Sequence, residues 1–381
     1  MRRKSWKIRA VFCAVLAAAG LAAGPAVPTW AAVAPEVSAQ GYVILDADTG
    51  RMITGEQENA RFYPASTTKV LTALVVLEHA ENLEAPVTFS HTAVTDLAEP
   101  SSTMEPRGRE GEQMPLEDVL YGLILNSGNE CANALAEYVS GSTEAFAALM
   151  NERAEQIGAS GSNFVNAHGL FEAEHYSTPY DMGLIFREAM KNDTFRKIDT
   201  TREYQAAATN LSPERTMEMG HRMVHGDIAC EGVIAGKTGL TDEGGRTLIT
   251  EAERGGVRLI VVIMQAEEEE FYNDTAKLLD YGYQLLAEET AAQATQAQSP
   301  ANSETAAAGG DGSIPASGAA EEGETAGEEG LPPETGNVPV TAAENQEVLA
   351  DIVIVLTAAC CALLLVGTIF CVTYMIILRK R

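Results

Sequence analysis

The sequence predicts an α+β fold, a mixed α/β arrangement in which one antiparallel sheet is flanked by helices and joined to a helical subdomain. Three observations lead there. Apolar strand patterns stand at both ends of a body spanning residues 35–287. Helical periodicities fill the stretch between them. No internal repeat divides the body, so strands from its two ends are expected to meet in a single sheet.

In chain order, residues 41–45 read as an apolar strand, Asp46-Ala47-Asp48-Thr49-Gly50 as a turn, and 51–54 as the returning strand of a hairpin. Apolar residues at three- and four-residue spacing predict helices over 66–79, 116–126, 131–139, 143–157 and 179–190. Residues 232–235 form an apolar lead into Gly236-Lys237-Thr238-Gly239, which places those four on a strand. Strands over 246–250 and 257–264 are joined by a Gly255-Gly256 turn, and a last helix is expected over 271–287.

The flanks read differently. Residues 1–34 have the order of a secretory signal: a basic start, an apolar run over 10–23, and small residues at Ala31-Ala32-Val33-Ala34. Residues 288–351 are rich in Gly, Pro and acids, the composition of a solvated tether. Residues 352–378 carry no charge, long enough for a transmembrane helix, and Arg379-Lys380-Arg381 follow as a cytoplasmic tail. The expectation is a single-pass membrane protein whose body faces outward, which points to a Gram-positive cell. Leu331-Pro332-Pro333-Glu334-Thr335-Gly336 is similar to a sortase sorting signal with one residue inserted; a permanent anchor is the preferred reading.

The net charge of −28 argues against nucleic acid as a partner, since phosphate backbones are bound by Lys and Arg. Outside the leader and the anchor only Cys131 and Cys230 remain, either two buried free thiols or one bridge. No metal-ligand spacing is present.

Three short motifs carry chemistry. Ser66 and Lys69 are three apart on a predicted helix and so share a face; a serine hydroxyl becomes a nucleophile when a neighbouring base takes its proton. A lysine can be that base once burial lowers its pKa. Ser66 alone also suits a helix N-cap. Asn126-Ser127-Gly128-Asn129 lies between two helices: an ordinary loop, or a proton relay at Ser127 with an amide-binding Asn129. Lys237 and Thr238 on a strand suit a carboxylate, and Gly239 lets a peptide backbone come close; the same residues could mark a protected edge strand.

The three motifs stand in this order, separated by 61 and 110 residues. A Ser-x-x-Lys, a Ser-x-Asn and a Lys-Thr-Gly so arranged resemble the serine penicillin-recognising enzymes, with their β-lactamase/transpeptidase-like fold. Further stretches, 63–69, Asn166-Ala167-His168-Gly169-Leu170, His175-Tyr176-Ser177-Thr178 and Tyr180-Asp181-Met182, resemble the D-alanyl-D-alanine carboxypeptidases, the low-molecular-mass penicillin-binding proteins. The resemblance implies a serine-type carboxypeptidase acting on peptidoglycan stem peptides that end in D-Ala-D-Ala, with β-lactams as inhibitors and no cofactor. It implies Ser66 as nucleophile, Lys69 as base and Ser127 as proton donor to the leaving amine. Lys237 and Thr238 would hold the terminal carboxylate, and Asn129 the peptide, beside Gly239. The N–H groups of Ser66 and Leu240 would form an oxyanion hole.

Two departures from the family pattern stand out. Where some members carry a carboxylate-binding arginine after the last strand, this chain reads Glu267-Glu268-Glu269-Glu270, which leaves Arg246 as a helper to Lys237 and Thr238. Where many relatives carry an all-β domain after the body, no strand pattern is read after Ala287, and tether and spanning helix are expected instead. The rival readings are a β-lactamase, whose Glu-x-x-Leu-Asn pattern is missing here, and a non-catalytic penicillin-sensing or wall-binding module. His168 and His175 are read as structural.

Overall fold

The computed structural model describes residues 32–298. Every described residue belongs to one compact unit. The leader, most of the tether and the apolar stretch 352–378 lie outside the described residues. Among the described residues no helix is long and apolar enough to cross a membrane.

The first hairpin forms as expected, β1 (Gly41–Asp46) with β2 (Met52–Glu56). Asp46 Oδ1 closes its turn by accepting from the Thr49 N–H at 2.7 Å and the Thr49 hydroxyl at 2.8 Å. A 3₁₀ turn (Ala65–Thr68) runs directly into α1 (Lys69–His79). The ribbon β3 (Pro86–Thr88) and β4 (Gln113–Pro115) brackets α2 (His91–Thr95). The helical subdomain continues with α3 (Leu116–Ile124), α4 (Asn129–Ser140), α5 (Thr143–Ile157), α6 (Pro179–Ala189) and α7 (Asp193–Asp199). A second ribbon, β5 (Glu203–Ala206) and β6 (Arg215–Glu218), and the single turn α8 (Arg222–His225) lead back to the sheet. The chain closes with β7 (Val233–Thr241), β8 (Gly245–Arg254), β9 (Val257–Ala266) and α9 (Phe271–Gln298).

The sheet is antiparallel in the order β2-β1-β9-β8-β7, so strands from the two ends of the body do pair. Both faces are covered. Val43, Leu45, Ile260, Val262 and Met264 pack with α1 and the helical subdomain. Their alternates Ile44, Leu259, Val261 and Ile263 pack with Leu278 and Leu279 of α9. Period-two alternation thus feeds two cores, which is why these strands read as unbroken apolar runs. Gly255 and Gly256 both have positive φ, as a two-residue hairpin of this hand demands.

Three expectations need correction. Ser66 stands in a 3₁₀ turn rather than in the α-helix, because Ala65 takes a φ of 51° and the chain tightens before α1 begins. Asn129 opens α4 rather than sitting in a loop. The last helix runs to Gln298, eleven residues beyond 287, so the first part of the stretch read as tether is helical; its Ala, Glu and Gln are strong helix formers. Both cysteines are free, with Cys131 buried and Cys230 only half-buried.

Candidate active site

The site lies where the 3₁₀ turn, the start of α4 and the edge strand β7 converge. Strand β7 has a neighbour on one side only, so part of its backbone faces an open cleft of about 640 Å³. Ser66, Ser127, Thr238, Gly239, Leu240 and Arg246 all line that cleft.

Three residues per turn bring positions i and i+3 into line in a 3₁₀ segment. The Lys69 Nζ accordingly sits 2.9 Å from the Ser66 Oγ. It also donates to Asn129 Oδ1 at 2.7 Å and to the His168 carbonyl at 2.6 Å, and Lys69 is fully buried. Burial, with the positive charge of Lys237 second, pulls the Lys69 pKa well below that of a free lysine. A neutral amine has two N–H donors and one lone pair. With Asn129 and His168 taking the donors, the lone pair faces the Ser66 hydroxyl. This geometry can remove a proton from Ser66.

Ser127 holds a φ of 57°, the left-handed region, which turns it into the cleft between α3 and α4. Its Oγ accepts from Lys237 Nζ at 3.0 Å, and Lys237 also donates to the Thr238 carbonyl at 3.0 Å. Burial lowers the Lys237 pKa to about 8, against the opposing pull of Asp199. Gly239 is required by contact: a Cβ there would stand 2.2 Å from Thr247 Oγ1 and 3.0 Å from the Ser66 backbone nitrogen. Strand β7 can therefore lie against the turn that carries Ser66. Gly169 plays the matching part on the other side, where a Cβ would stand 1.9 Å from the Ala65 carbonyl oxygen.

All eight residues singled out in the sequence meet here. Arg246 reaches the cleft as well, but its guanidinium pairs with Glu268 and lies over the Phe271 ring, 5.1 Å from the ring centroid. His175 is structural: it shares a 2.9 Å hydrogen bond with the Thr68 hydroxyl, and its Nδ1 accepts from the Val165 N–H. Burial drives the pKa of both His168 and His175 to about 3, so both are neutral at working pH. His168 nonetheless touches the site, through its carbonyl.

Other participants went unread in the sequence. Asp199, fully buried, accepts the Gly236 N–H at 2.8 Å and so fixes the strand at Lys237. Ser101 accepts from Asn129 Nδ2 at 2.7 Å. The loop carrying Ser101 is pinned by Glu130, which accepts from the Met104 N–H, and by Arg215, which is buried in a pair with Glu112 and donates to the Pro106 carbonyl at 2.9 Å. Only an ordinary Pro-Ser-Ser run marks this wall in the sequence.

The profile of a family described as D-alanyl-D-alanine carboxypeptidase matches residues 29–268. The chain is 30% identical over 251 residues to the D-alanyl-D-alanine carboxypeptidase DacF of Bacillus subtilis, covering 64% of this chain and 62% of that protein. It is 32% identical over 258 residues to DacB2 of Mycobacterium tuberculosis, covering 66% of this chain and 84% of that one. Among solved structures, the Streptomyces K15 DD-transpeptidase matches with a TM-score of 0.61 at 30% identity, over 66% of this chain and 99% of that chain.

Proposed function

The chain belongs to the D-alanyl-D-alanine carboxypeptidase family, and on that premise we propose how its cleft works as a serine-type carboxypeptidase of cell-wall metabolism. The observation that carries the reading is the buried Lys69 amine held between Ser66 Oγ, Asn129 Oδ1 and the His168 carbonyl.

Lys69 takes the Ser66 proton as Oγ attacks the carbonyl between the two terminal D-alanines of a peptidoglycan stem peptide. The developing oxyanion is met by the backbone N–H groups of Ser66 and Leu240. Ser127 passes a proton to the leaving D-alanine amine, and the Lys237 ammonium supports that hydroxyl. Lys237 and Thr238 hold the terminal carboxylate, while Asn129 and the exposed edge of β7 hold the peptide as an added strand. Water then hydrolyses the acyl-enzyme. Arg246 joins the carboxylate site only on leaving Glu268.

The test is D-alanine release from a synthetic pentapeptide, run beside labelling with a fluorescent penicillin. A carboxypeptidase releases D-alanine and keeps the label for long. Rapid clearance of the label without D-alanine release identifies a β-lactamase, and absence of labelling a pure binding module.

The two lysines set a pH window. Lys69 works as the neutral amine, and its depressed pKa places the rising limb of kcat/KM below that of an ordinary lysine. Lys237 works as the cation, and raising the pH through about 8 removes its charge and weakens carboxylate binding. A falling limb near pH 8 is therefore expected for D-Ala-D-Ala peptides. It should move to higher pH in Lys237→Arg, whose guanidinium keeps its charge. An unmoved limb would assign it to another group.

We also propose that residues 1–34 direct export, that 352–378 span the membrane with 379–381 inside, and that 299–351 tether the catalytic body outside. The order of charge and apolar residues supports this topology. Protease added to intact protoplasts should release the active body and leave the anchor behind. Recovery of the body joined covalently to peptidoglycan, cleaved near Thr335, would replace the anchor by sorting.

A further inference from the structure

Among the described residues that line the catalytic cleft, Arg246 is the one Lys or Arg, and Glu99, Asp242 and Glu243 are its charged companions. Its place follows from the register of the sheet. Arg246 of β8 stands directly opposite Leu240 of β7, and Thr238 comes two residues before Leu240. Residues that face each other across two strands, like residues two apart on one strand, share a face of the sheet. Arg246 therefore stands on the same face as Thr238, about 5 Å away across the strands and about 7 Å along them. A long side chain reaches across such a diagonal.

On its other side Arg246 pairs with Ala266 of β9, and Glu268 follows two residues later. Both carboxylate oxygens of Glu268 accept from the Arg246 guanidinium, one from Nε and one from Nη2. This is the two-pronged geometry with which an arginine takes up a carboxylate. The Glu268 side chain is 61% exposed and makes no other hydrogen bond or ion pair with a described residue. Its hydrogen bonds from Arg246 hold its carboxyl below the usual pKa, so Glu268 is ionised at working pH. The Arg246 guanidinium also rests over the Phe271 ring, a second hold on the fork that does not involve Glu268.

We propose that Glu268 is a specificity-determining residue: an internal carboxylate that occupies the Arg246 fork and competes there with the terminal carboxylate of the substrate. The inference rests on the carboxypeptidase reading above, which puts that carboxylate at Lys237 and Thr238. The fork offers one bidentate seat. While Glu268 holds it, the end of the substrate is left with Lys237 and Thr238 alone. The cleft then separates a peptide with a free carboxylate from one with a blocked end less sharply than an open fork would. An exposed ion pair is a light latch, so a substrate can displace it at a modest cost in affinity.

The test compares two pentapeptides, one ending in D-Ala-D-Ala and one in D-Ala-D-alaninamide. Both are assayed with the full chain, with Glu268→Gln, and with a variant carrying Glu267→Gln, Glu268→Gln and Glu269→Gln, which also removes the acids beside Glu268. A fourth protein carries Arg246→Gln and Glu268→Gln, and the folding of every variant is checked by circular dichroism. Glu268→Gln is expected to lower KM for the free-carboxylate peptide about five-fold, with kcat unchanged and both constants for the amide unchanged. The gain should vanish when Arg246→Gln is added, because the fork itself is gone. A loosened loop would instead alter both peptides alike. An unchanged KM for the free carboxylate in both the single and the triple variant, an equal change for both peptides, or a gain that persists without Arg246 would overturn the inference and leave the carboxypeptidase reading standing. Release of neither D-alanine nor D-alaninamide by any of the four proteins would overturn that reading and this inference with it.

Discussion

Ser66→Ala is expected to abolish D-alanine release and covalent penicillin capture together. Both outcomes depend on one oxygen, and no neighbour replaces it. Ser127 lines the same cleft, but its Oγ is held by Lys237, while Lys69 is occupied by Ser66, Asn129 and His168. The Ser66 side chain is only half-buried, and the substitution removes a single oxygen. The variant should therefore melt as the unmodified protein does. A penicilloyl adduct found on another serine by peptide mapping would overturn the assignment.

The second large effect belongs to Lys69. Lys69→Ala should slow acylation by ~10²–10⁴-fold, the usual loss when a general base is removed. It also strands Asn129 Oδ1 and the His168 carbonyl in a buried space, so stability should fall by about 1–3 kcal/mol. Loss of stability alone would lower activity, and Lys69→Arg separates the two causes. A guanidinium can still donate to both oxygens but does not give up its proton at working pH. Lys69→Arg is expected to fold and to remain nearly inactive toward both penicillin and peptide. Near-normal acylation by either variant would remove Lys69 from the role of base.

Much of this architecture is legible in the sequence because burial on both faces writes itself into the strands. The runs 41–45 and 259–264 carry no charge at any step, since odd and even positions feed different cores. The Gly255-Gly256 turn fixes one partner of the second run, the strand just before it. The active-site residues are legible for another reason: a serine and a lysine three apart lie side by side in an α-helix and in a 3₁₀ turn alike. The spacing therefore points to the contact but is silent on which helix makes it. The ribbons β3–β4 and β5–β6 escaped notice because they are three or four residues long and mix polar with apolar positions.

What local sequence does not encode is contact across long separations. Asp199 meets Gly236 across 37 residues, and Ser101 meets Asn129 across 28. Each is an unremarkable polar residue until the fold carries it to the site. His168 is a different case: its side chain drew attention, whereas its backbone carbonyl is the group that touches Lys69. Arg246 shows the converse. It arrives at the cleft as its position next to the Lys-Thr-Gly strand suggests, yet the acids after β9 have already engaged it.

The central claim is that Ser66 carries a peptidyl group released from D-alanine with Lys69 as base. Acid-quenching the enzyme within its first turnovers on a D-Ala-D-Ala pentapeptide, followed by intact-mass analysis and peptide mapping, tests it directly. The account predicts a mass increase equal to the peptide less its terminal D-alanine and less water, located on the fragment containing Ser66. It predicts free D-alanine equal to the adduct plus the shortened peptide product. D-alanine released with no adduct at any quench time, together with an Ser66→Ala variant that still turns over, would contradict it.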